Sequence, residues 1–154
     1  AANAMLAADL DHRIAVVGDP ELDPLLNGFT LVRPLENDPL QSDSLKAGVQ
    51  AASEYRPDRV LIALADMPCV EHDLLDHVLE TCSDTHASAA TDGRRRTPPA
   101  CFPGWQLTEF DRLTGDRGAG PLLSGLPPSQ LVVVSAASLA DIDTQADLKE
   151  LEQG

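Results

Sequence analysis

The sequence predicts an α/β fold in which helices cover both faces of a parallel sheet. Short runs of β-branched residues alternate with helix-like stretches along the chain. The most apolar run, RVLIALA at 59–65, is continuously hydrophobic, as is typical of a central strand buried on both faces. The length of 154 residues with 43% hydrophobic composition suffices for one core, so we expect a single domain over 1–154.

The first half of the chain is expected to supply two strands before the central one. The Ala- and Leu-rich stretch 1–10 is helical, and strand 13–17 ends at a Gly-Asp-Pro turn. Small residues at 48 and 52 would let the following helix approach a sheet closely, and Ser42 or Asp43 would cap it. The elements predicted here are helix 23–26, strand 30–32, helix 44–55 and strand 59–65.

The second half begins with an amphipathic helix at 71–82, which carries acidic residues in its first turn, where the helix dipole favours them. Two strands then flank a basic turn, Gly93-Arg94-Arg95-Arg96. The remaining predicted elements are strands 88–91 and 100–102, helix 105–113, a glycine-bearing loop 115–120, strand 131–135 and a last helix ending near 152.

The charge balance excludes several classes of partner. The formal net charge is −14, so the chain repels polyanions, and we expect binding to neither nucleic acid nor an anionic membrane surface. No apolar stretch approaches the ~20 residues that span a bilayer, and no secretory signal opens the chain, so we expect a cytoplasmic protein. The three cysteines show no Cys-x-x-Cys pair and are expected to be reduced.

Asp66 is the sharpest candidate for chemistry. It follows the central strand in Leu64-Ala65-Asp66-Met67-Pro68, which places it at the carboxyl edge of the sheet, where open α/β folds bind ligands. A carboxylate there could hold Mg²⁺ against substrate phosphates. The alternative is that Asp66 only caps the next turn.

Two further segments carry candidate residues. In Asp141-Ile142-Asp143-Thr144, a capping box starting at Thr144 explains much of the composition, yet Asp141 or Asp143 could face Asp66 and complete a metal site. The loop GDRGAG at 115–120 could bind an anion through backbone N–H groups and Arg117, or be a flexible connector. The run 94–96 could likewise be a solvated hairpin tip or a clamp for a phosphorylated substrate.

Five segments in order resemble the MobA-like nucleotidyltransferases, particularly the MocA branch. They are SLKAGVQAA at 44–52, LADMP at 64–68, PACF at 99–102, GDRGAGPLL at 115–123 and DIDTQADL at 141–148.

The resemblance implies a three-layer sandwich with a mostly parallel, Rossmann-like sheet. It also implies the Mg²⁺-dependent transfer of a nucleotidyl group from CTP or GTP to a phosphorylated acceptor, the molybdopterin cofactor, with release of pyrophosphate. Asp66 matches the family's metal-holding aspartate, and Asp143 is the second expected ligand. Ser44 matches the position where a helix start approaches the nucleotide, and Arg117 and Gly118 match a segment suited to the acceptor phosphate. A molybdoenzyme is the implied protein partner.

One part of the family pattern is missing from the sequence. Family members open with a strand and a glycine-rich loop of the form L-A-[AG]-G-x-S-x-R-[MF]-G-x-x-K, which holds the β- and γ-phosphates. We therefore expect an N-terminally incomplete domain. The rival hypotheses are an oxidoreductase of the nicotine-blue type that uses a nicotinamide cofactor, and a degenerate, non-catalytic binding module.

Overall fold

The strands form two groups in the computed structural model, which describes residues 1–36 and 38–142. The first group pairs β1 (Ile14–Val16) with β2 (Thr30–Val32) in parallel. The second contains β3 (Arg59–Ile62), β4 (Ser88–Thr91), β5 (Arg96–Pro103) and β6 (Leu131–Val133), in the order β3-β5-β4-β6.

The four-stranded sheet is mostly parallel, as predicted. Strand β4 runs parallel to β6, and both β3 and β4 run antiparallel to β5, so only β5 is reversed. The carboxyl ends of β3, β4 and β6 therefore lie at one edge of the sheet.

Helices α1 and α3 are shorter than predicted, α2 begins and ends earlier than predicted, and several segments are 3₁₀ rather than α-helical. Within the described residues, the α-helices are α1 (Ala2–Ala7), α2 (Gln41–Ser53), α3 (His72–Thr81) and α4 (Gly120–Leu123). The 3₁₀ segments are Pro20–Leu25, Gly104–Arg112, Gly115–Arg117, Pro128–Gln130 and Ala136–Leu139. The stretch predicted as helix 105–113 is thus a 3₁₀ segment, and the predicted last helix lies outside the described residues.

Two apolar clusters on opposite faces of the four-stranded sheet make it the middle of three layers. On one face, α3 packs against the sheet through Leu75, Val78 and Cys101, and α1 packs against α3. On the other face, α2, α4 and segment 104–112 surround Phe102 and Phe110, whose rings meet edge to face at 4.9 Å. The three-layer sandwich is therefore confirmed.

Strand β3 is shorter and less buried than the prediction for 59–65. It pairs with β5 only from Arg59↔Pro103 to Ile62↔Ala100. The next residues of β5 toward its start are Pro99 and Pro98, which have no N–H to donate, so the ladder ends there. The same prolines lie where the β4–β5 register shifts between Ala89 and Ala90.

The other side of β3 faces an open groove of about 1690 Å³. Its walls come from β1, β3 and α2. The groove lies between the two strand groups, since no strand among the described residues pairs with both β1 and β3. This open side explains why β3 is only half-buried. Helix α2 joins the two strand groups, since Gly48 lies against Val16 of β1 while Val49 belongs to the cluster around Phe102.

Every helix among the described residues is too short or too polar to cross a bilayer.

Cys82 and Cys101 are buried, Cys69 is half-buried, and all three are free thiols, as predicted.

Candidate functional site

Asp66 lies just beyond β3, at the edge formed by the carboxyl ends of the parallel strands. Its side chain is exposed, whereas its neighbour Met67 is buried and anchors the turn. The Asp66 carbonyl accepts a hydrogen bond of 2.8 Å from the Ile142 N–H. Within the described range, no residue donates a hydrogen bond to the Asp66 carboxylate or forms an ion pair with it, which leaves its oxygens available to a cation.

The β4–β5 hairpin at the same edge is held by its own side chains. The Asp92 carboxylate accepts hydrogen bonds of 2.8 Å from the N–H groups of both Arg94 and Arg95. These backbone donors hold the pKa of Asp92 below its ordinary value. The Thr91 hydroxyl donates to the Arg95 carbonyl at 2.7 Å and accepts from the Gly93 N–H at 3.0 Å. The turn is therefore a defined structure rather than a loose tip.

Arg95 ties this hairpin to the segment that reaches Asp66. Its guanidinium donates to the Leu139 carbonyl at 2.6 Å and pairs with Asp141 at 3.4 Å. Because Ile142 is bonded to the Asp66 backbone, the hairpin, residues 139–142 and Asp66 form one connected edge.

The loop 115–120 contacts the start of α2 through Gly118 and Gln41. Gly118 is buried with φ +51° and ψ −134°, and a Cβ built on it would lie 2.4 Å from Gln41 Oε1. Gln41 begins α2, so Gly118 lies beside the turn that contains Ser44. Ser44 is half-buried and lines the groove beside β1 and β3. Arg117 is exposed.

Helix α2 begins earlier than the predicted Ser44, and its capping differs from the prediction. Leu40 precedes the first helical residue, and the Asp43 carboxylate reaches back to accept from the Leu40 N–H at 3.0 Å. Ser42 is fully buried instead of acting as the cap. The reason is that the helix starts at Gln41, which puts Ser42 and Asp43 inside the first turn.

A second cavity of about 480 Å³ lies beside the hairpin, at the carboxyl ends of β4 and β6. Its lining comes from the sheet (Thr91, Leu131 and Val133), from the hairpin (Arg94 and Arg96) and from Gly120, Ser124 and Pro128. Gly120 closes the GDRGAG motif, so this cavity adjoins the loop predicted to bind the acceptor.

Of the two predicted metal ligands, Asp66 and Asp143, the structure describes only Asp66. Asp143 lies outside the described residues, and among residues 1–36 and 38–142 no group of three or more His, Cys, Asp and Glu side chains could hold a metal ion. The residues that sequence reasoning did not single out are Gln41 and Asp92. An Asp-Gly pair directly after a strand is a signal for a side-chain-stabilised turn, but nothing local marks Gln41.

Comparison with known proteins identifies the family. The family model for the MobA-like NTP transferase domain matches residues 1–133. A protein of Mycobacterium avium named probable molybdenum cofactor guanylyltransferase is 27% identical over 110 residues, covering 69% of this chain and 56% of that protein. The chain thus spans little more than half the length of this curated relative.

Solved structures show the same fold. A nucleotidyl transferase from Methanothermobacter matches with a TM-score of 0.80 at 24% identity, covering 98% of this chain and 76% of that one. The Mycobacterium tuberculosis protein Rv0371C, solved in complex with manganese, matches with a TM-score of 0.74 at 21% identity, covering 99% of this chain and 83% of that one. With the family model matching most of its length, the chain belongs to the MobA-like NTP transferase domain family.

Proposed function

We propose that this protein takes part in the metal-dependent transfer of a nucleotidyl group from an NTP to a phosphorylated acceptor. The observation that carries the proposal is the match of the NTP transferase family model across residues 1–133, a range that contains the exposed carboxylate of Asp66. In this reaction an acceptor phosphate oxygen attacks the α-phosphorus, the bond between the α-phosphorus and the bridging oxygen breaks, and pyrophosphate leaves.

The chemistry is one of positioning and charge, because two anions must be brought together. The exposed Asp66 carboxylate suits a divalent cation, and Asp143 is the second ligand in the proposal. A bound cation would neutralise charge on the triphosphate. Hard oxygen ligands suit both Mg²⁺ and Mn²⁺, and the manganese complex of Rv0371C supports a divalent ion of this kind.

We assign the nucleotide and the acceptor to different sides of Asp66, at the edge of the sheet formed by the carboxyl ends of the parallel strands. Ser44, on the groove side, is proposed to approach the nucleotide, and Arg117 with Gly118 to face the acceptor phosphate. The names of the curated relatives make GTP the first nucleotide to test, with CTP beside it, and molybdopterin the proposed acceptor. The proposed protein partner is a molybdoenzyme, and the proposed location is the cytoplasm.

The test is a binding titration of the protein with GTP and CTP, each with Mg²⁺ and with Mn²⁺. We expect Asp66→Asn to weaken metal-dependent binding about tenfold or more, as loss of a charged ligand predicts. Asp84→Asn is the matched control. Asp84 is also exposed, but it lies near Arg59, where β3 begins, at the opposite edge of the sheet.

Two results would refute the proposal. One is the absence of binding to either nucleotide with either metal. The other is stabilisation of the protein by a reduced nicotinamide and by no NTP, which would favour the oxidoreductase hypothesis.

A further inference from the structure

The three consecutive arginines of the β4–β5 hairpin have different surroundings. Arg96 donates to the Ser124 carbonyl, just after α4. Arg94 is exposed, and within the described part of the chain its guanidinium makes no hydrogen bond or ion pair. Arg95 differs from both, because its guanidinium contacts residues 139–142, the segment that reaches the candidate metal ligand.

Arg95 holds this segment at two points. Its guanidinium donates to the Leu139 carbonyl at 2.6 Å and pairs with the Asp141 carboxylate at 3.4 Å. Among the side chains that the structure describes, no other donates a hydrogen bond to residues 139–142. The Leu139 side chain is fully buried, so the core anchors one end of the segment, and Arg95 supports the part that leaves the core.

The far end of the segment is bonded to the turn that carries Asp66. The Ile142 N–H donates to the Asp66 carbonyl at 2.8 Å, and the neighbouring Met67 is buried. The Asp66 carboxylate is exposed and accepts no hydrogen bond from a described residue. Its position therefore depends on how firmly the backbone of this turn is held.

The hairpin gives Arg95 a defined base. One oxygen of the Asp92 carboxylate accepts hydrogen bonds of 2.8 Å from the N–H groups of Arg94 and Arg95, and the other oxygen lies 3.9 Å from Arg95 Nε. A guanidinium offers five N–H donors in one rigid plane, so it can contact two carboxylates and a carbonyl together. Arg95 thus links the hairpin to the segment beside Asp66.

We infer that Arg95 is a positioning residue for the divalent-cation site, because it holds residues 139–142 against the backbone of Asp66 and so fixes the carboxylate of Asp66. The inference rests on the proposed function and deepens it by assigning a residue that touches neither the metal nor a substrate. Residues that hold a metal ligand in place contribute strongly to metal affinity.

The sign of the effect on metal affinity separates positioning from electrostatics. A positive charge near a cation site repels the cation, so removing the charge of Arg95 would by itself tighten metal binding or leave it unchanged. Release of the Asp141 carboxylate from its ion pair would act in the same direction. Loss of positioning acts in the opposite direction, because the Asp66 carboxylate is then held less firmly.

The experiment measures Mn²⁺ affinity without nucleotide, by electron paramagnetic resonance of the free ion. We expect Arg95→Ala to weaken Mn²⁺ binding about tenfold. Arg94→Ala is the matched control, because it makes the same change in net charge on the adjacent residue and should bind Mn²⁺ at least as tightly as the wild type. Wild-type or tighter affinity in Arg95→Ala, or equal weakening in both variants, would overturn the inference.

Arg95→Lys tests the geometry at constant charge. The ammonium group keeps the charge but lacks the planar fork that spans the Leu139 carbonyl and the Asp141 carboxylate, so we expect a loss of about threefold, smaller than that of Arg95→Ala. Circular dichroism establishes that each variant is folded at the temperature of the titration, so lowered stability alone does not change the affinity. If Arg95→Ala does not fold, wild-type affinity in Arg95→Lys overturns the inference.

Asp66→Asn separates this inference from the proposed function. If Asp66→Asn weakens Mn²⁺ binding while Arg95→Ala does not, the positioning role is wrong and the proposed function stands. If Arg95→Ala weakens Mn²⁺ binding while Asp66→Asn does not, Arg95 acts on another site and the inference is again wrong. If both variants weaken Mn²⁺ binding but no NTP binds, the proposed function fails and Arg95 remains a positioning residue of a divalent-cation site.

Discussion

Replacing Gly118 by alanine should separate the loop 115–120 from the start of α2. Gly118 has φ +51° with ψ −134°, which lies outside the left-handed helical region that a non-glycine residue can adopt at moderate cost. Its new Cβ would also lie 2.4 Å from Gln41 Oε1 and 2.8 Å from Gln41 Cδ, so that side chain must move.

The magnitude follows from adding the two effects. The backbone conformation costs of order 1–3 kcal/mol for an L-residue, and displacing a packed side chain adds about 1 kcal/mol. We therefore expect Gly118→Ala to lower the free energy of unfolding by about 2–4 kcal/mol. Gly115→Ala is the matched control, because Gly115 is in the same loop with φ +74° but its Cβ would meet no atom within 4 Å. Its cost should be about 1 kcal/mol.

The assay is urea unfolding followed by circular dichroism, in wild-type and Gln41→Ala backgrounds. Gln41→Ala shortens the obstructing side chain, so it should recover about 1 kcal/mol of the Gly118→Ala cost and none of the Gly115→Ala cost. Equal costs for the two glycine variants, or no recovery with Gln41→Ala, would refute the contact between this loop and α2.

Two other predictions concern the frame around the site. Gly104→Ala places a Cβ 2.2 Å from the Pro57 carbonyl oxygen. Because that oxygen belongs to the backbone and cannot swing aside, the variant should lose about 2–4 kcal/mol in urea unfolding, whereas Gly125→Ala, whose Cβ would meet nothing within 4 Å, should unfold like the wild type. Equal midpoints for the two would contradict this steric reasoning. The folded-state pKa of Asp92 is lowered, so the stability it contributes is present above its ordinary pKa of about 4 and is lost as pH falls through the lowered value. The difference in unfolding free energy between the wild type and Asp92→Ala should therefore shrink as pH is lowered from about 6 toward 2, and a constant difference would show that the carboxylate does not stabilise the hairpin.

The central strand β3 shows how much of an element the local hydrophobic pattern can predict. Continuous hydrophobicity at 59–65 correctly predicted a strand, but the ladder ends at Ile62. The limit comes from Pro98 and Pro99, which lie in the neighbouring strand β5 and lack N–H donors. The length of β3 therefore depends on which strand lies beside it. The sequence around residues 59–65 does not specify that neighbour.

The candidate site likewise contains features that the local sequence predicts and features that it does not. The position of Asp66 after a buried strand was enough to place it at the carboxyl edge of the sheet, because strand direction and the turn at Pro68 are local properties. The contact between Gly118 and Gln41 joins segments far apart along the chain. It depends on how both segments pack in the folded protein, so the local sequence does not predict it.

The sequence by itself determined the order of elements, the three-layer α/β class and the family, because periodicity, turn residues and ordered motifs are encoded over short stretches. The tertiary structure decided the reversed direction of β5, the open groove beside β3 and the different surroundings of Arg94, Arg95 and Arg96. Three identical adjacent side chains are equivalent in a sequence. They become different because other segments supply partners to Arg95 and Arg96, whereas no described residue pairs with the guanidinium of Arg94, and only folding brings those segments together.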